Sequence, residues 1–481
     1  MSSIQPIFLL LGALVAIGVG GTVFLWLVRL TRTPHGAEKV VALLLALLVA
    51  ESAMYANPSD VPTGLFHPAA GPLSFRIFDL LVPAAIVARL VARPPAQLIS
   101  VQTLAWSAFL VWLTGAAVNG FLLGNSTGLI AYHAKAIIYI GTFVLVAAVP
   151  ADRWLQSRSL RIVVCTSSAV ALVLMLTSQM GIGISLALPL VPLVGLGGLG
   201  SDMATIFAVM GLVTFAVGLC SPEHRLRTIG VALPMLLAPL ASGQRAAMIG
   251  LGASVVACML IGPFAMRNVR LTLAELGVGT LAAVGLVTAV LLAGSLSPAV
   301  SDKLPIARQI QETFTSRGKQ LSEQDRVNQW AQARELIAQR PVFGWGLAKQ
   351  YNYYSPGFYE FMTTDLTHNI GLDLLLRTGI VGLLLFVVAV ATTVRDGVLT
   401  WLRDVDGRIA ALGLACFGAL LGLITKGMFE SIFEKYRLAL VIGALVGLSL
   451  SVSAARRTAP ATAPRRLPLD FSDPRREALV R

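Results

Sequence analysis

Apolar runs of roughly 16–25 residues recur along this chain from its first stretch to its last, and a bilayer core asks for about 20 residues per helical crossing. No other feature restricts the fold as much. Composition agrees: of 481 residues, 56% are hydrophobic and 13% charged, whereas about a quarter of a soluble domain is charged. Lipid, rather than water, must solvate most of the surface. The first run, near residues 7–28, ends in Arg29 and Arg32 instead of a small-residue cleavage site, so it reads as a retained helix.

Helices are expected at 7–28, 37–55, 76–92, 101–119, 134–150, 158–177, 201–220, 226–241, 243–263, 272–296, 371–394, 408–425 and 436–453. The number is 12 or 13, because 226–241 is short and holds Pro234 and Pro239. Residues 181–200 are apolar but rich in Gly and Pro, which predicts a re-entrant or interfacial segment. The chain therefore reads as an all-α polytopic membrane protein. It divides into N-terminal transmembrane helices over 1–296, a long loop over 297–370, C-terminal helices over 371–455 and a basic tail over 456–481.

The net charge of +13 lies mainly in short connections and in the tail, the pattern that orients membrane proteins rather than one that binds nucleic acid. Arg456, Arg457, Arg465, Arg466, Arg475, Arg476 and Arg481 place the C-terminus in the cytoplasm, and the Arg/Pro/Ala-rich tail reads as disordered. Counting back through the basic turns puts the poorer connections at 56–75, 120–134, 178–200 and 426–435 outside, together with the long loop. Cys165, Cys220, Cys258 and Cys416 stand singly in apolar stretches, with no spacing for zinc or for a disulfide framework. Gly195 to Gly200 spells G-x-G-x-x-G, but no strand is expected before it and no βαβ unit around it, so a dinucleotide site is not supported. Asp404-Val-Asp406 has the form of a metal-binding D-x-D; Arg403 and Arg408 beside it predict simple neutralisation.

Loops longer than about 15 residues are usually functional or disordered, and the composition of this one argues for order. Ser322-Glu-Gln-Asp325 has the form of a capping box, predicting a helix from there to Pro341 with Arg326, Trp330, Ala333 and Ile337 on one stripe. Phe343-Gly344-Trp345-Gly346 follows, then Tyr351, Tyr353, Tyr354, Phe358, Tyr359 and Phe361, rings suited either to a membrane interface or to the apolar faces of sugars. His368 stands where the loop enters a membrane helix, near Asp365, and an imidazole at such a boundary can work as a base. Arg245 opens the helix at 243–263. Asp373 and Arg377 form a pair four residues apart inside the membrane, Glu430 lies on the last outer turn, and Arg76 and Asp79 open an outer helix end.

Three of these stretches together resemble the O-antigen ligase superfamily, which also holds O-antigen polymerases and protein O-oligosaccharyltransferases. His368-Asn369, nine residues, then Gly379-Ile-Val-Gly382 fits the ligase pattern H-[NSQ]-x9-G-x-x-[GTY]; Arg326-x3-Trp330 leading to Pro341-x2-Gly344-x-Gly346 resembles the large-loop segment; Ser242-Gly-Gln-Arg245 resembles the family's helix opening. The likeness covers about residues 240–395. It implies a fold like the membrane-embedded glycosyltransferases of C type, in the bacterial inner membrane, with the loop and active site in the periplasm. It also implies transfer of a glycan from undecaprenyl pyrophosphate to a sugar hydroxyl of lipid A-core, with inversion and with neither metal nor cofactor. By the same resemblance Arg245 and Arg326 bind the pyrophosphate and His368 is the base. Asn369, Trp330, Glu430, Arg76, Asp79 and Arg377 are further substrate-binding candidates. A polymerase shares the donor but commonly has two sizeable outer loops, and an oligosaccharyltransferase differs only in acceptor. A lipid-linked glycan flippase or other transporter is a reading from another class, and would show internal repeats and mid-bilayer charges.

Overall fold

Lipid leaves backbone groups no partner but one another, so the apolar runs close their hydrogen bonds as helices. The computed structural model describes residues 21–54, 69–70, 73–74, 77–92, 100–180, 184–188, 191–196, 199–261, 317–402, 406–433 and 435–458. Among them seven helices are long and apolar enough to cross a membrane, and the chain is an all-α polytopic membrane protein. The start of the first expected helix, the helix at 272–296, the boundary at 296, the front of the loop, Arg76, Asp404 and the tail beyond 458 lie outside the described residues.

The first helices are α1 (Gly21–Thr31), α2 (Pro34–Met54), α3 (Ile77–Ala92), α4 (Val101–Leu122), α5 (Thr127–Ile140), α6 (Phe143–Ala147), α7 (Ala151–Gln156) and α8 (Arg158–Met180). After them come α9 (Ser201–Leu219), α10 (Arg225–Ala241), α11 (Arg245–Ile261), α12 (Arg317–Gln339), α13 (Ile370–Leu402), α14 (Gly407–Gly427) and α15 (Tyr436–Thr458). Pro234 and Pro239 sit inside α10 without ending it. Several expected boundaries move, most of all in two helices. The helix expected at 134–150 begins at Thr127 and gives way at Gly141 to the short α6. The helix expected to end at 394 continues to Leu402, because Val394, Val398 and Trp401 pack on Ala410, Ala411, Leu414 and Phe417 of α14.

Residues 181–200, expected as a re-entrant or interfacial segment, contain an antiparallel pair of strands, Ile184–Leu188 with Val191–Leu196. A strand thus does precede the G-x-G-x-x-G, contrary to the sequence reading. Its only partner is the antiparallel neighbour, so the βαβ setting is still missing among the described residues. Asp406 caps α14 by accepting from the Arg408 amide at 2.8 Å. That backbone bond and the Arg408 charge hold its carboxyl below the usual range against the effect of burial.

Polar side chains gather at the two ends of the helices and leave an apolar middle. At one end Glu38 meets Ser157, Arg89 donates to the Thr31 carbonyl at 2.6 Å, and Arg456 lies 3.4 Å from Asp396. At the other, Glu51 meets Tyr436, Lys135 lies 2.6 Å from Asp79, and Lys435 lies 2.9 Å from Asp202. Glycines let the helices close between these layers. An added Cβ at Gly250 of α11 would stand 2.8 Å from the Gly422 carbonyl oxygen of α14, and one at Gly397 of α13 2.9 Å from that of Gly413.

The feature that positions the loop is a break in α13. Gly379 takes a left-handed φ of 66°, so the helix stops for one residue and the carbonyls before it lose their helical partners. The segment after Pro341 fills the opening. The Trp345 amide donates to the Leu376 carbonyl at 2.8 Å, that of Gly346 to Arg377 at 3.0 Å, and the Ile380 amide donates back to Pro341 at 2.9 Å. Beyond it the Leu347 amide reaches the Ala116 carbonyl of α4 at 3.0 Å, and Asn125 Nδ2 donates to the carbonyls of Trp345 and Leu347. A side chain at Gly379 would run into the Val342 backbone, and one at Gly346 into Gly120.

Substituting Gly379→Ala is expected to destabilise the protein by more than about 1 kcal/mol, since both the φ and the space forbid a methyl group. The control is Gly252→Ala, at a helical position with nothing within 4 Å of the new carbon. Thermal unfolding in one detergent should show a drop for the first and none for the second; equal behaviour would mean that the interlock carries no load.

Candidate functional site

The loop is built on α12, which starts at Arg317, five residues before the expected capping box. Ser322 therefore sits inside the helix, and Asp325 has another use: it accepts from Ser355 Oγ at 2.8 Å. Ala333 and Ile337 turn inward as expected, packing with Tyr351, Leu376 and Trp345. The aromatic run folds as a hairpin of β1 (Tyr351–Ser355) and β2 (Glu360–Thr364), in register with Tyr351 opposite Thr364 and Tyr354 opposite Phe361. Period-two alternation buries Tyr351, Tyr353 and Ser355 against α12 and leaves Tyr354 and Phe361 exposed as a cross-strand pair, 5.6 Å between ring centres. Phe358 and Tyr359 are exposed at the turn.

The residues leaving the hairpin are held one by one. Arg377 Nη2 donates to the Asp365 carbonyl at 3.0 Å, the Tyr351 hydroxyl to that of Leu366 at 2.6 Å, and Trp330 Nε1 to that of Thr367 at 2.7 Å. Three consecutive carbonyls are thus tied to α13, β1 and α12. His368 follows with a φ of 48°, a left-handed conformation that a side chain rarely adopts and that its neighbours must enforce. Asn369 then starts α13: its Oδ1 accepts from the Leu372 amide at 3.0 Å, while Nδ2 donates to the Met428 carbonyl at 3.1 Å. Asn369 is occupied as a helix cap and as a clasp on the α14–α15 connection.

Burial and the neighbouring Arg326 guanidinium push the His368 imidazole down to about 4; Lys435 adds to this and Glu430 opposes it. The ring is neutral at physiological pH, and its Nδ1 is buried without a hydrogen-bond partner among the described residues. Arg326 is half-buried, and among the described residues no carboxylate or carbonyl pairs with it. Glu430 is firmly committed elsewhere. Burial works to raise its carboxyl, but Lys426 at 3.1 Å and the contacting Lys435 hold it down at about 2, and Ser201 Oγ donates to it at 3.0 Å. Lys435 in turn is raised to about 12 by Asp202 and Glu430 in spite of burial.

Arg245, at the first turn of α11, forms an ion pair with Glu323 of α12, one turn before Arg326. The structure so brings Arg245, Arg326, Trp330, His368, Asn369 and Glu430 to one mouth, where α11, α12, α13 and the α14–α15 connection converge. Arg377 lies deeper in α13, with its Nε 2.9 Å from Asp373 Oδ1. Asp79 is a member of a separate group with Lys135 and Tyr139. Sequence reasoning missed Asp202, Lys426, Lys435 and His133, each a single polar residue at or near the end of an apolar run. Among the described residues no group of three or more His, Cys, Asp or Glu is arranged to hold a metal ion.

This geometry can bind an anion at the unmatched guanidinium and take up a proton on the neutral imidazole beside it. Removing the Arg326 charge removes one of the forces opposing protonation, so in Arg326→Gln the His368 pKa is expected to rise from about 4 while burial keeps it below the ordinary value. The pH dependence of diethyl pyrocarbonate labelling at His368, read by peptide mass spectrometry, measures this. An unmoved midpoint would separate the two residues.

No curated protein matches the chain. The family model described as Wzy_C, O-antigen ligase, matches residues 230–387, a stretch that runs from α10 through the loop to the middle of α13 and carries Arg245, Arg326, Trp330, His368, Asn369 and Arg377. Over that stretch, about a third of its length, the chain is similar to the O-antigen ligases, and the match supports an O-antigen ligase-type protein.

Proposed function

We propose that this protein is a membrane glycosyltransferase of the inner membrane that moves O-antigen polysaccharide from undecaprenyl pyrophosphate to a sugar hydroxyl of lipid A-core on the periplasmic side. The observation that supports it most is the neutral His368 beside an arginine whose charge is not matched among the described residues. Transfer breaks the bond between the anomeric carbon and the pyrophosphate, and charge builds on the leaving oxygen. Arg326 and Arg245 offset it through forked, charge-assisted hydrogen bonds in a half-dry site. His368 takes the proton of the acceptor hydroxyl as its oxygen attacks the anomeric carbon from the opposite side, so the configuration inverts. No metal is needed in this scheme, since the guanidiniums carry the counter-charge.

The donor also tunes the base. A pyrophosphate bound at Arg326 cancels the charge that depresses His368, so the imidazole becomes a stronger base only once the donor is in place. Activity rises with pH as the ring loses its proton. The acid limb of kcat, which reports the loaded enzyme, should therefore lie at higher pH than the limb of kcat/KM, which reports the free enzyme.

Purified protein supplied with a synthetic undecaprenyl-pyrophosphate glycan and lipid A-core should transfer the glycan. Arg245→Ala and Arg326→Ala should each lose about 10²–10³-fold in rate, and His368→Ala about 10²–10⁴-fold. Full activity in all three would reject the assignment. Activity should survive EDTA, and a loss restored by Mg²⁺ would reject the metal-free scheme. Transfer only to a second lipid-linked glycan would make the protein a polymerase, and transfer to protein an oligosaccharyltransferase. Movement of the lipid-linked glycan across vesicles without transfer would mark a flippase.

A further inference from the structure

His133 is 4% exposed on α5 and is bonded at both ring nitrogens. Its Nε2 lies 2.6 Å from Asp365 Oδ2, and its Nδ1 lies 3.0 Å from Arg377 Nη1. A guanidinium only donates, so Nδ1 must accept, and the ring proton sits on Nε2 and is donated to Asp365. The imidazole is neutral and held in one tautomer. Arg377 is fixed from behind by Asp373 at 2.9 Å and also donates to the Asp365 carbonyl at 3.0 Å. Asp365 is thus gripped at both its carboxylate and its backbone, three residues before His368. The same Arg377 accepts from the Gly346 amide through its own carbonyl, so both arms of the loop meet at one residue of α13.

We propose that His133 is a positioning residue for glycan transfer: it passes the hold of the buried Arg377 to Asp365 and so fixes the strained turn that presents His368. The inference rests on His368 being the base of the proposed reaction. The chemistry of the slot is restrictive. It needs one donor and one acceptor on opposite edges and no net charge, between a guanidinium and a carboxylate. A lysine would repel Arg377, a carboxylate would repel Asp365, and an apolar side chain would break the link between Arg377 Nη1 and the Asp365 carboxylate. A glutamine amide offers the same donor and acceptor pair as the neutral ring. Arg245 and Arg326 stand on other elements, α11 and α12, so a slack turn at 365–368 should spoil base placement more than donor binding.

The test uses the full-length protein in lipid nanodiscs, with His133→Leu and His133→Gln compared with wild type. His133→Leu should lower kcat roughly 10- to 100-fold, the effect of a displacement on the order of 1 Å, with little change in KM for the undecaprenyl-pyrophosphate glycan. It should also speed diethyl pyrocarbonate labelling of His368, which burial protects in the wild type. His133→Gln should restore most of kcat and the slow labelling. Wild-type kcat and labelling in His133→Leu would overturn the proposal, and so would a glutamine variant as defective as the leucine one. If His133→Leu fails to fold, Asp365→Ala cuts the same link from the exposed side: the same loss supports the proposal and wild-type behaviour overturns it. Should the wild type itself transfer no glycan, the functional reading fails separately, and the labelling of His368 in the three proteins still reads the positioning.

Discussion

Backbone hydrogen bonding between the loop and the interrupted α13 is the constraint on which the site depends. A helix entering lipid normally spends every carbonyl internally. Here the left-handed Gly379 releases the Leu376 and Arg377 carbonyls, and the amides of Trp345 and Gly346 take them. A loop segment is thereby joined to a membrane helix through the backbone of both. Everything that follows, from the seating of α12 to the tie between Trp330 and Thr367, takes its register from that seam.

Charge is arranged around the mouth in a graded way. Lys426 and Lys435 are matched by Asp202 and Glu430. These pairs are costly to desolvate and hold helix ends together more than they add net stability. Arg326 differs in standing beside an imidazole instead of a carboxylate. The contrast separates scaffold from chemistry: a matched pair has little left to offer a ligand, while an unmatched cation near a neutral base favours an anion that carries its own reactive bond.

Much of this was legible in the sequence because it is written locally. Hydropathy places most helices within a few residues, and the spacing from His368 to Gly379 and Gly382 marks a loop end followed by a special helix. What the spacing does not disclose is why glycine is needed. Gly344, Gly346 and Gly379 serve a seam between segments that are distant in sequence, and no local pattern states which carbonyl they approach. The capping box misled for a related reason: tertiary packing extended α12 backward and turned Asp325 toward Ser355. His133 was invisible since its partner Asp365 is 232 positions away, and a lone histidine on an apolar helix carries no sign of what it meets.

The hairpin between the two anchored arms has a consequence for variation. The chain leaves the seam after Gly346 and is caught again at Asp365, with both points bonded to Arg377. The ladder of β1 and β2 closes on itself, and the free-energy cost of closing a loop grows only slowly with its length. The tip around Phe358 and Tyr359 is therefore an interchangeable head on a fixed neck. Residues can be added or removed there in cross-strand pairs, and its surface rewritten, while the anchorage of His368 stays as it is. Variation in the face this loop presents has a place to accumulate without disturbing the turn held at His368.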